Sequence, residues 1–346
     1  MRITPLVASL IATLAIGSAQ ADEAIKWKAI GQPLATGLIQ KNIEQPFFEN
    51  FAENTGLPVT VDYKPIDTTG IKDTEQLRVL KSGLFDLVSI RASQNSRDEP
   101  ALLGLDLVGL NPDYETGRKV ADAYFDTLDQ RLQKQFRVKL LGVWPFGPQI
   151  LFCKSPVASF ADVKGLKVRV SDQNLAQFVE SIGGIPVPMS FAETHQSLSL
   201  GVVDCAITGP SSANSAGWTE IATRQIPLGV QMGLNGYGIS LKSWNKLDAG
   251  QQAKLQTAFD TLNSKIWAYS EELYKDALNC NVGAEPCTTG KKYKLISVEP
   301  SDADRQLLKG ALQSISLPNW AAVCDKVNPQ CSADWKAKVG PVVGLK

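Results

Sequence analysis

Two arginines in this chain are well suited to binding an anionic small molecule. Arg169 lies in the alternating segment Leu166-Lys167-Val168-Arg169-Val170, and Arg91 follows the apolar run 84–90. A guanidinium held on a strand offers two parallel donors to a carboxylate and stays charged at physiological pH. The alternation places Lys167 and Arg169 on the face away from the core. The alternative for both arginines is a solvated or salt-bridged surface position.

Aromatic and neutral polar residues at expected strand ends or loops are further candidates for the same site. Trp144, Phe146 and Trp218 could stack on a ring or cover apolar atoms, although a tryptophan more often packs in a core or hinge. The neutral candidates are Gln32, Gln149, Thr208, Asn214 and Asn235. Ligands of α/β proteins lie beyond the C-terminal ends of strands or in clefts between lobes, where we expect these side chains.

The elements around Arg169 are predicted to follow the order β-α-β-α-β, which is typical of an α/β domain. Apolar periodicity, caps and breakers define each one. They are a strand at 166–170, a helix beginning after Ser171 or Asp172 and ending at Gly183-Gly184, an extended segment at 186–188, a helix at 191–200 ending at Gly201, and a strand at 202–207.

The N-terminal part has the same predicted order. Its strands are expected at 24–32, 57–63 and 84–90, and its helices at 38–54 and 73–82. Both parts contain the pattern LxxGxxD before a buried strand, at 80–86 and 198–204. The glycine ends a helix and the aspartate tightens the turn into the strand. The repeated pattern predicts two similar lobes.

The remaining segments are predicted to connect the lobes and complete them. The two prolines and the glycine in 144–149 suit a crossover and a first hinge. The other elements are an apolar packing segment at 102–110, a helix at 114–135, strands at 138–143 and 150–153, a polar flexible segment at 211–218, a return strand and second hinge at 233–241, a long helix capped by Asp248 and reaching Leu278, a segment at 293–298 and a segment at 301–312. From Pro318 onward we predict only surface packing.

Several motifs occur in a fixed order between 160 and 204. They are Phe160-Ala161-Asp162-Val163-Lys164-Gly165-Leu166-Lys167-Val168-Arg169-Val170, then Gly184-Ile185-Pro186-Val187-Pro188-Met189, Glu193, and Leu198-Ser199-Leu200-Gly201-Val202-Val203-Asp204. This order resembles the DctP-type periplasmic solute-binding proteins of tripartite ATP-independent periplasmic (TRAP) transporters. The resemblance implies that Arg169 binds the carboxylate of the ligand.

The resemblance also implies a two-lobed periplasmic-binding-protein fold of class α/β. Each lobe would be a mixed β-sheet flanked by helices, with hinge crossover strands and a long interdomain helix. We expect lobe I to comprise 22–143 plus about 228–270, and lobe II to comprise 144–227 plus about 271–346. The implied partners are a small organic acid and separate membrane subunits, with no cofactor.

Two positions differ from the pattern of that family. Many members carry a second arginine shortly after the crossover, where this chain has Pro148 beside Gln149. Members commonly have a polar Gly-Gln-Glu-Asn-Pro-like run after the aspartate, where this chain has Cys205-Ala206-Ile207-Thr208-Gly209. The smaller number of charged groups favours a monocarboxylate with an apolar or aromatic body.

The start of the chain predicts export. Arg2, the apolar segment 6–16 and Ala19-Gln20-Ala21 are typical of a leader peptide, so 1–21 would be removed and the mature protein would lie in the periplasm. No other apolar stretch reaches the length that a bilayer requires. The formal net charge of zero and the absence of a basic run argue against a nucleic-acid partner.

Six cysteines in an exported chain suggest disulfides. Cys280/Cys287 and Cys324/Cys331 could each close a local loop or pair crosswise, and Cys153/Cys205 could form a third bridge or remain two buried thiols. Sequence leaves all pairings open. A metal site is disfavoured because no CxxC pair or histidine cluster is present.

An enzyme is the less favoured class. The single histidine, His195, lies in a polar helix, and GxSxG, HExxH and Walker A motifs are absent. Ser243-Trp244-Asn245-Lys246 matches SxxK without its companion motifs, which indicates coincidence. A periplasmic sensor subunit that binds the same acid for a receptor is the other alternative to transport.

Overall fold

The structure is a computed structural model that describes residues 25–345. The predicted leader peptide, 1–21, lies outside the described residues. Eleven strands form two sheets within them. The strands are β1 (Ile25–Gly31), β2 (Val59–Pro65), β3 (Leu87–Arg91), β4 (Val138–Pro145), β5 (Gln149–Cys153), β6 (Lys167–Val170), β7 (Ile185–Pro188), β8 (Cys205–Thr208), β9 (Arg224–Gln231), β10 (Leu234–Ser240) and β11 (Ile296–Ser297).

Helices cover both sheets. The α-helices are α1 (Gln45–Glu49), α2 (Phe51–Thr55), α3 (Gln76–Ser82), α4 (Tyr114–Phe136), α5 (Gln173–Ser181), α6 (Phe191–Leu200), α7 (Pro210–Ser215), α8 (Leu241–Trp244), α9 (Ala249–Val282), α10 (Asp302–Ala311), α11 (Leu317–Val327) and α12 (Cys331–Val339). Short π-helical segments precede α1 at Gln40–Glu44 and α11 at Leu312–Ser316.

Both sheets are mixed, as the sequence predicts. The first has the order β2-β1-β3-β10-β4, in which β10 is antiparallel to β3 and β4 and the other neighbours are parallel. The second has the order β11-β9-β5-β8-β6-β7, in which β5 is antiparallel to β8 and β9. Helices on two sides of each sheet bury the apolar strands.

Two crossovers connect the two sheets. The chain leaves the first sheet at the end of β4 and enters the second at β5, and it returns between β9 and β10. The backbone N–H of Phe146 donates to the carbonyl of Gly233 at 2.9 Å, and that of Gly147 donates to Met232 at 3.0 Å. Both predicted crossovers are confirmed, and their hydrogen bonds make them one paired connection.

Helix α9 is the long helix that the sequence predicts. Asp248 and Gln251 form a capping box at its N-terminus. Leu255, Phe259 and Ile266 pack in the core of the first sheet, while Tyr274 and Leu278 lie against a core of the second. The helix therefore spans both halves of the molecule.

The repeated LxxGxxD pattern has the same geometry in both halves. Gly83 and Gly201 end α3 and α6 in the left-handed conformation, both with φ of 73°. The Asp86 carboxylate accepts the backbone N–H of Lys28 at 2.8 Å, and Asp204 accepts that of Lys167 at 2.8 Å. Each aspartate thus ties its turn to a parallel neighbouring strand of the same sheet, β1 in the first sheet and β6 in the second.

Several predicted elements differ in the structure. The segment 38–54 is not one helix, since a π-helical turn precedes Pro46 and the helical geometry breaks at Asn50. The segment 211–218 is not flexible, because 210–215 forms α7 with Pro210 at its first turn. Strand β9 was not predicted, and only two residues of 293–298 pair as β11.

The C-terminal segment does more than cover the surface. Trp320 and Trp335, on α11 and α12, lie in the same apolar cluster as Leu102 and Tyr124. Gly104 allows this packing, since a Cβ there would lie 2.8 Å from Trp320 and 2.9 Å from Trp335. The prediction from Pro318 onward was wrong in this respect. Helices α11 and α12 therefore pack on the half that contains the first sheet. The lobe boundaries given above stay a prediction.

All six cysteines are paired. The disulfides are Cys153–Cys205, Cys280–Cys287 and Cys324–Cys331. The first joins facing residues of β5 and β8, and the third connects α11 to α12. Within 25–345, no helix combines the length and the apolar character that crossing a membrane requires.

Candidate functional site

A small cavity of about 30 Å³ lies where the two sheets face each other at the crossovers. Side chains from both halves line it. Six of the ten residues predicted for the site contribute to it: Arg91, Phe146, Gln149, Arg169, Thr208 and Asn235. The strand ends β3, β6 and β8 meet here, as expected for the C-terminal edges of α/β strands.

Arg169 is buried in the wall of this cavity, with 2% of its surface exposed. Its Nε donates to the carbonyl of Met189 at 3.2 Å and its Nη1 to that of Ile207 at 3.0 Å. Its Nη2 is buried and has no hydrogen-bond partner among the described residues. The free N–H of this buried guanidinium can donate a hydrogen bond to a carboxylate oxygen. Such a bond would be favourable, because leaving a buried donor unpaired costs free energy.

The face of β6 that carries Arg169 is covered, unlike that of a solvated arginine. The guanidinium lies over the Trp218 ring at 5.5 Å, and Trp218 stacks on Phe191 with ring centroids 4.9 Å apart. Trp218 is fully buried below Arg169 and supports it through a cation–π contact. As predicted, Arg169 lies on the face of β6 opposite Val168, which packs in the core. Of the two residues predicted for that face, only Lys167 is exposed, and Arg169 is buried.

Arg91 approaches from the first-sheet half. Its guanidinium forms an ion pair with Asp73 at 3.4 Å and lies over the Phe146 ring at 5.4 Å. Burial and the positive charge of Arg91 lower the pKa of the Arg169 guanidinium to about 9, which leaves it charged at neutral pH. Arg91 is thus already paired with a carboxylate, whereas Arg169 makes its hydrogen bonds to backbone carbonyls.

The neutral polar side chains of the cavity are oriented by the crossovers. The Gln149 amide donates to the carbonyl of Gly147 at 2.7 Å, and that of Asn235 donates to Gly233 at 2.8 Å. Gly233 has φ of +67°, and a Cβ there would lie 2.6 Å from the Gln149 amide nitrogen. Thr208 is buried at the end of β8. Glycine at 233 is therefore needed for this close packing.

Sequence reasoning missed Asp106, a buried carboxylate in the cavity wall. It accepts the backbone N–H groups of Met232, Gly233 and Leu234 at 2.7, 2.7 and 3.1 Å. Burial raises its pKa to about 6, against the opposing effect of these hydrogen bonds. An acidic residue inside the apolar stretch 102–110 was the available signal, because a buried charge requires partners.

Other lining residues were also absent from the predicted set. They are Ser93, Gln94, Ser171, Phe191, Gln231, Gly233 and Leu234. Ser171 directly follows β6 and Ser93 lies two residues after the end of β3, so their positions near strand ends could have suggested them. Phe191 begins α6, and nothing local to it indicates that it packs beside the cavity.

Four predicted site residues lie outside the cavity wall. Gln32 donates to Ser89 in the interior of the first sheet, and Trp144 stacks on Tyr237 in the core. Asn214 bonds Asn281 and the backbone of Lys291, which attaches α7 to the end of α9. Trp218 supports Arg169 from below, as described above. No group of three or more potential metal ligands occurs within 25–345.

Two facing α/β halves, paired crossovers and an arginine-lined cavity define a two-lobed solute-binding protein. The protein family described as "bacterial extracellular solute-binding protein, family 7" matches residues 36–286 of this chain. The chain belongs to this family, the DctP-type solute-binding proteins of TRAP transporters, as the motifs around Arg169 predict.

Proteins similar to this chain in sequence are named for different ligands. The chain is 27% identical over 221 residues to the C4-dicarboxylate-binding periplasmic protein DctP of Rhodobacter capsulatus, covering 61% of this chain and 64% of the relative. It is 26% identical over 198 residues to the sialic acid-binding periplasmic protein SiaP of Vibrio cholerae, covering 56% and 61%. The chain thus spans less than two thirds of the length of these relatives.

Solved structures show the same fold over nearly the whole chain. The DctP7 receptor of Bordetella pertussis, which binds pyroglutamic acid, has a TM-score of 0.77 at 18% identity and covers 90% of this chain and 100% of its own. A TRAP solute-binding protein of Rhodoferax ferrireducens with bound malonate has a TM-score of 0.77 at 17% identity, covering 92% and 98%. At these identities the likeness concerns the fold.

Proposed function

We propose that this protein captures a small organic acid in the periplasm and delivers it to the membrane subunits of a TRAP transporter. The observation that carries the proposal is the buried Arg169 guanidinium, whose Nη2 is unpaired in the wall of a cavity between the two halves. A carboxylate oxygen would complete its hydrogen bonding. Separate membrane subunits would then perform the transport, and the protein itself would catalyse no reaction.

The acid we propose is a monocarboxylate with an apolar or aromatic body. Arg91 is already paired with Asp73, so Arg169 is left as the cation for one carboxylate. Phe146 and Phe191 add aromatic surface to the cavity wall. Relatives that bind other acids share the fold, and the charges of this cavity support the narrower choice.

Capture would require the lobes to move. A cavity of about 30 Å³ has room for one or two water molecules, so an organic acid must enter while the halves are farther apart. Hinge closure around a ligand is the usual motion of two-lobed binding proteins. The paired crossovers at Phe146 and Gly233 are the proposed hinge.

The test is binding of monocarboxylates, and of their amides, to the mature protein and to Arg169→Ala. Loss of a charge-assisted contact in a buried site costs about 2–5 kcal/mol, so titration calorimetry should show affinity at least about 30-fold weaker. Lys167→Ala is the matched control, since Lys167 is exposed on the same strand. Equal affinity in wild type and Arg169→Ala, or equal binding of acid and amide, would refute the proposed site.

A further inference from the structure

A second and larger cavity opens beside the first. Its volume is about 550 Å³, and its lining includes Ser93, Gln94 and Ser171, which also line the cavity at Arg169. The two spaces therefore meet at a common boundary formed by these three side chains. We call the larger cavity the vestibule.

The sizes of the two cavities indicate which part of an organic acid each of them could hold. The inner cavity of about 30 Å³ is large enough for a carboxylate group but not for the body of an organic acid. The vestibule, by contrast, falls in the range of about 300–1,000 Å³ that is usual for small-molecule sites. A carboxylate held by Arg169 would leave its body directed across Ser93 and Ser171.

The wall of the vestibule comes from three parts of the chain. The first half supplies Pro100 and Leu103, the second half supplies Asn174 and Gln177, and α11 supplies Trp320 and Val323. Most of its polar lining residues carry neutral amide or hydroxyl groups. Arg97 and Asp172 are its two charged lining residues. The remaining surface suits an uncharged, partly apolar body.

One polar group in this wall lacks a partner. Asn174 is 1% exposed, and its Oδ1 accepts the backbone N–H of Val108 at 2.6 Å. Its Nδ2 is buried without a hydrogen-bond partner among the described residues. An unpaired buried donor favours a ligand that brings an acceptor, because the alternative leaves the group unsatisfied.

Helix α11 is held firmly in this position. The Trp320 indole donates to the carbonyl of Pro100 at 2.8 Å, and the disulfide Cys324–Cys331 ties α11 to α12. Val323 is nonetheless 51% exposed, although Trp320 and Cys324 of the same helix are buried. This helix also lies beyond residues 36–286, which the family description matches.

We propose that the vestibule is a second subsite, which takes the uncharged body of the acid and which α11 makes selective. The apolar part of the body would lie against Leu103, Trp320 and Val323, and an acceptor on it would bond Asn174. The preferred ligand is then a monocarboxylate with an elongated chain or an aryl-alkyl group. This inference rests on the proposed function, since it takes Arg169 as the carboxylate site.

The test compares acids of increasing length on wild type, Val323→Trp and Val327→Trp. Butanoate, hexanoate, octanoate and 3-phenylpropanoate are the probes, with titration calorimetry as the measurement. Wild-type affinity should rise up to about fourfold for each methylene that enters the vestibule. Val323→Trp should weaken octanoate and 3-phenylpropanoate at least about tenfold by filling that space, and butanoate less than about twofold.

Val327→Trp is the matched control. Val327 is 57% exposed on the same helix, one turn further along, and it does not line the vestibule. It should leave every affinity unchanged. Wild-type affinity independent of length, or equal effects of Val323→Trp on short and long acids, would overturn the subsite.

The two failures can be told apart with Arg169→Ala. If acids bind wild type and lose affinity in Arg169→Ala, but Val323→Trp has no length-dependent effect, only the vestibule is refuted. If no acid binds wild type, or if Arg169→Ala binds all of them normally, the carboxylate site itself fails and the subsite fails with it.

Discussion

The Arg169 side chain combines complete burial with incomplete hydrogen bonding. Two backbone carbonyls and the Trp218 ring fix its plane, so one edge of the guanidinium keeps a defined direction. Little side-chain entropy would remain to be lost when a carboxylate binds. This pre-organisation distinguishes it from the exposed Lys167 on the same strand.

Asp106 has the opposite chemistry within the same cavity. Its carboxylate gathers three backbone N–H groups of the return crossover, and burial raises its pKa from 3.8 to about 6. The carboxylate of Asp106 thus binds a proton more readily in the folded state than in the unfolded chain. Its contribution to stability is present below about pH 4 and is lost as the pH rises through 6.

We therefore predict that Asp106→Asn removes a pH-dependent part of the free energy of unfolding. The free energy of unfolding of wild type, relative to that of the variant, should fall by up to about 3 kcal/mol as the pH rises from 4 to 7. Urea unfolding of the ligand-free proteins at several pH values would measure it. A difference that does not change over this range would show that Asp106 titrates as an ordinary exposed carboxylate.

At the scale of elements, β5 and β8 are the pair that a covalent bond secures. Cys153 and Cys205 face each other in this antiparallel pair and close a loop of 52 residues that contains β6, β7 and α5. The other two disulfides each span only 7 residues. Longer loops lose more conformational entropy in the unfolded state when they are closed.

Removal of the first disulfide should accordingly destabilise the protein more than removal of a local one. Chain-entropy arguments give about 4 kcal/mol for Cys153→Ala/Cys205→Ala and about 2 kcal/mol for Cys280→Ala/Cys287→Ala. Urea unfolding of both double variants beside wild type would measure this. An equal or reversed order would show that the loop-entropy argument does not describe this protein.

For the molecule as a whole, the arrangement of its two halves corresponds to a closed state. Ser215 of α7 donates to the carbonyl of Ala35 at 3.3 Å, so the second half contacts the first beside the cleft. Gly37 lies close to the same serine, and a Cβ there would be 2.5 Å from its hydroxyl. Opening of the lobes would have to break such contacts.

We predict that the ligand-free protein is more open in solution and that a bound acid closes it. Small-angle X-ray scattering should show a smaller radius of gyration at saturating acid, because the ligand favours the closed state to which it binds better. Arg169→Ala should show no such decrease at the same concentration. A radius that does not depend on the ligand in wild type would argue against capture by closure.

The sequence by itself determined most of the elements and the family. The strand of Arg169, a helix start at Ser171 or Asp172, the ends of α6, the long helix and the crossovers follow from local patterns. Periodicity, caps and breakers act between residues close in the chain. The motif order around Arg169 likewise indicated the solute-binding family.

Only the tertiary structure decided how the site is built. Trp218 supports Arg169 from 49 positions away in the chain, Asp106 reaches the crossover at Met232, and Trp320 packs on Pro100. These contacts depend on the packing of distant segments, which no local pattern encodes. For the same reason, Trp144 and Gln32, at promising positions in the sequence, became interior residues of the first sheet, and the C-terminal helices joined its core.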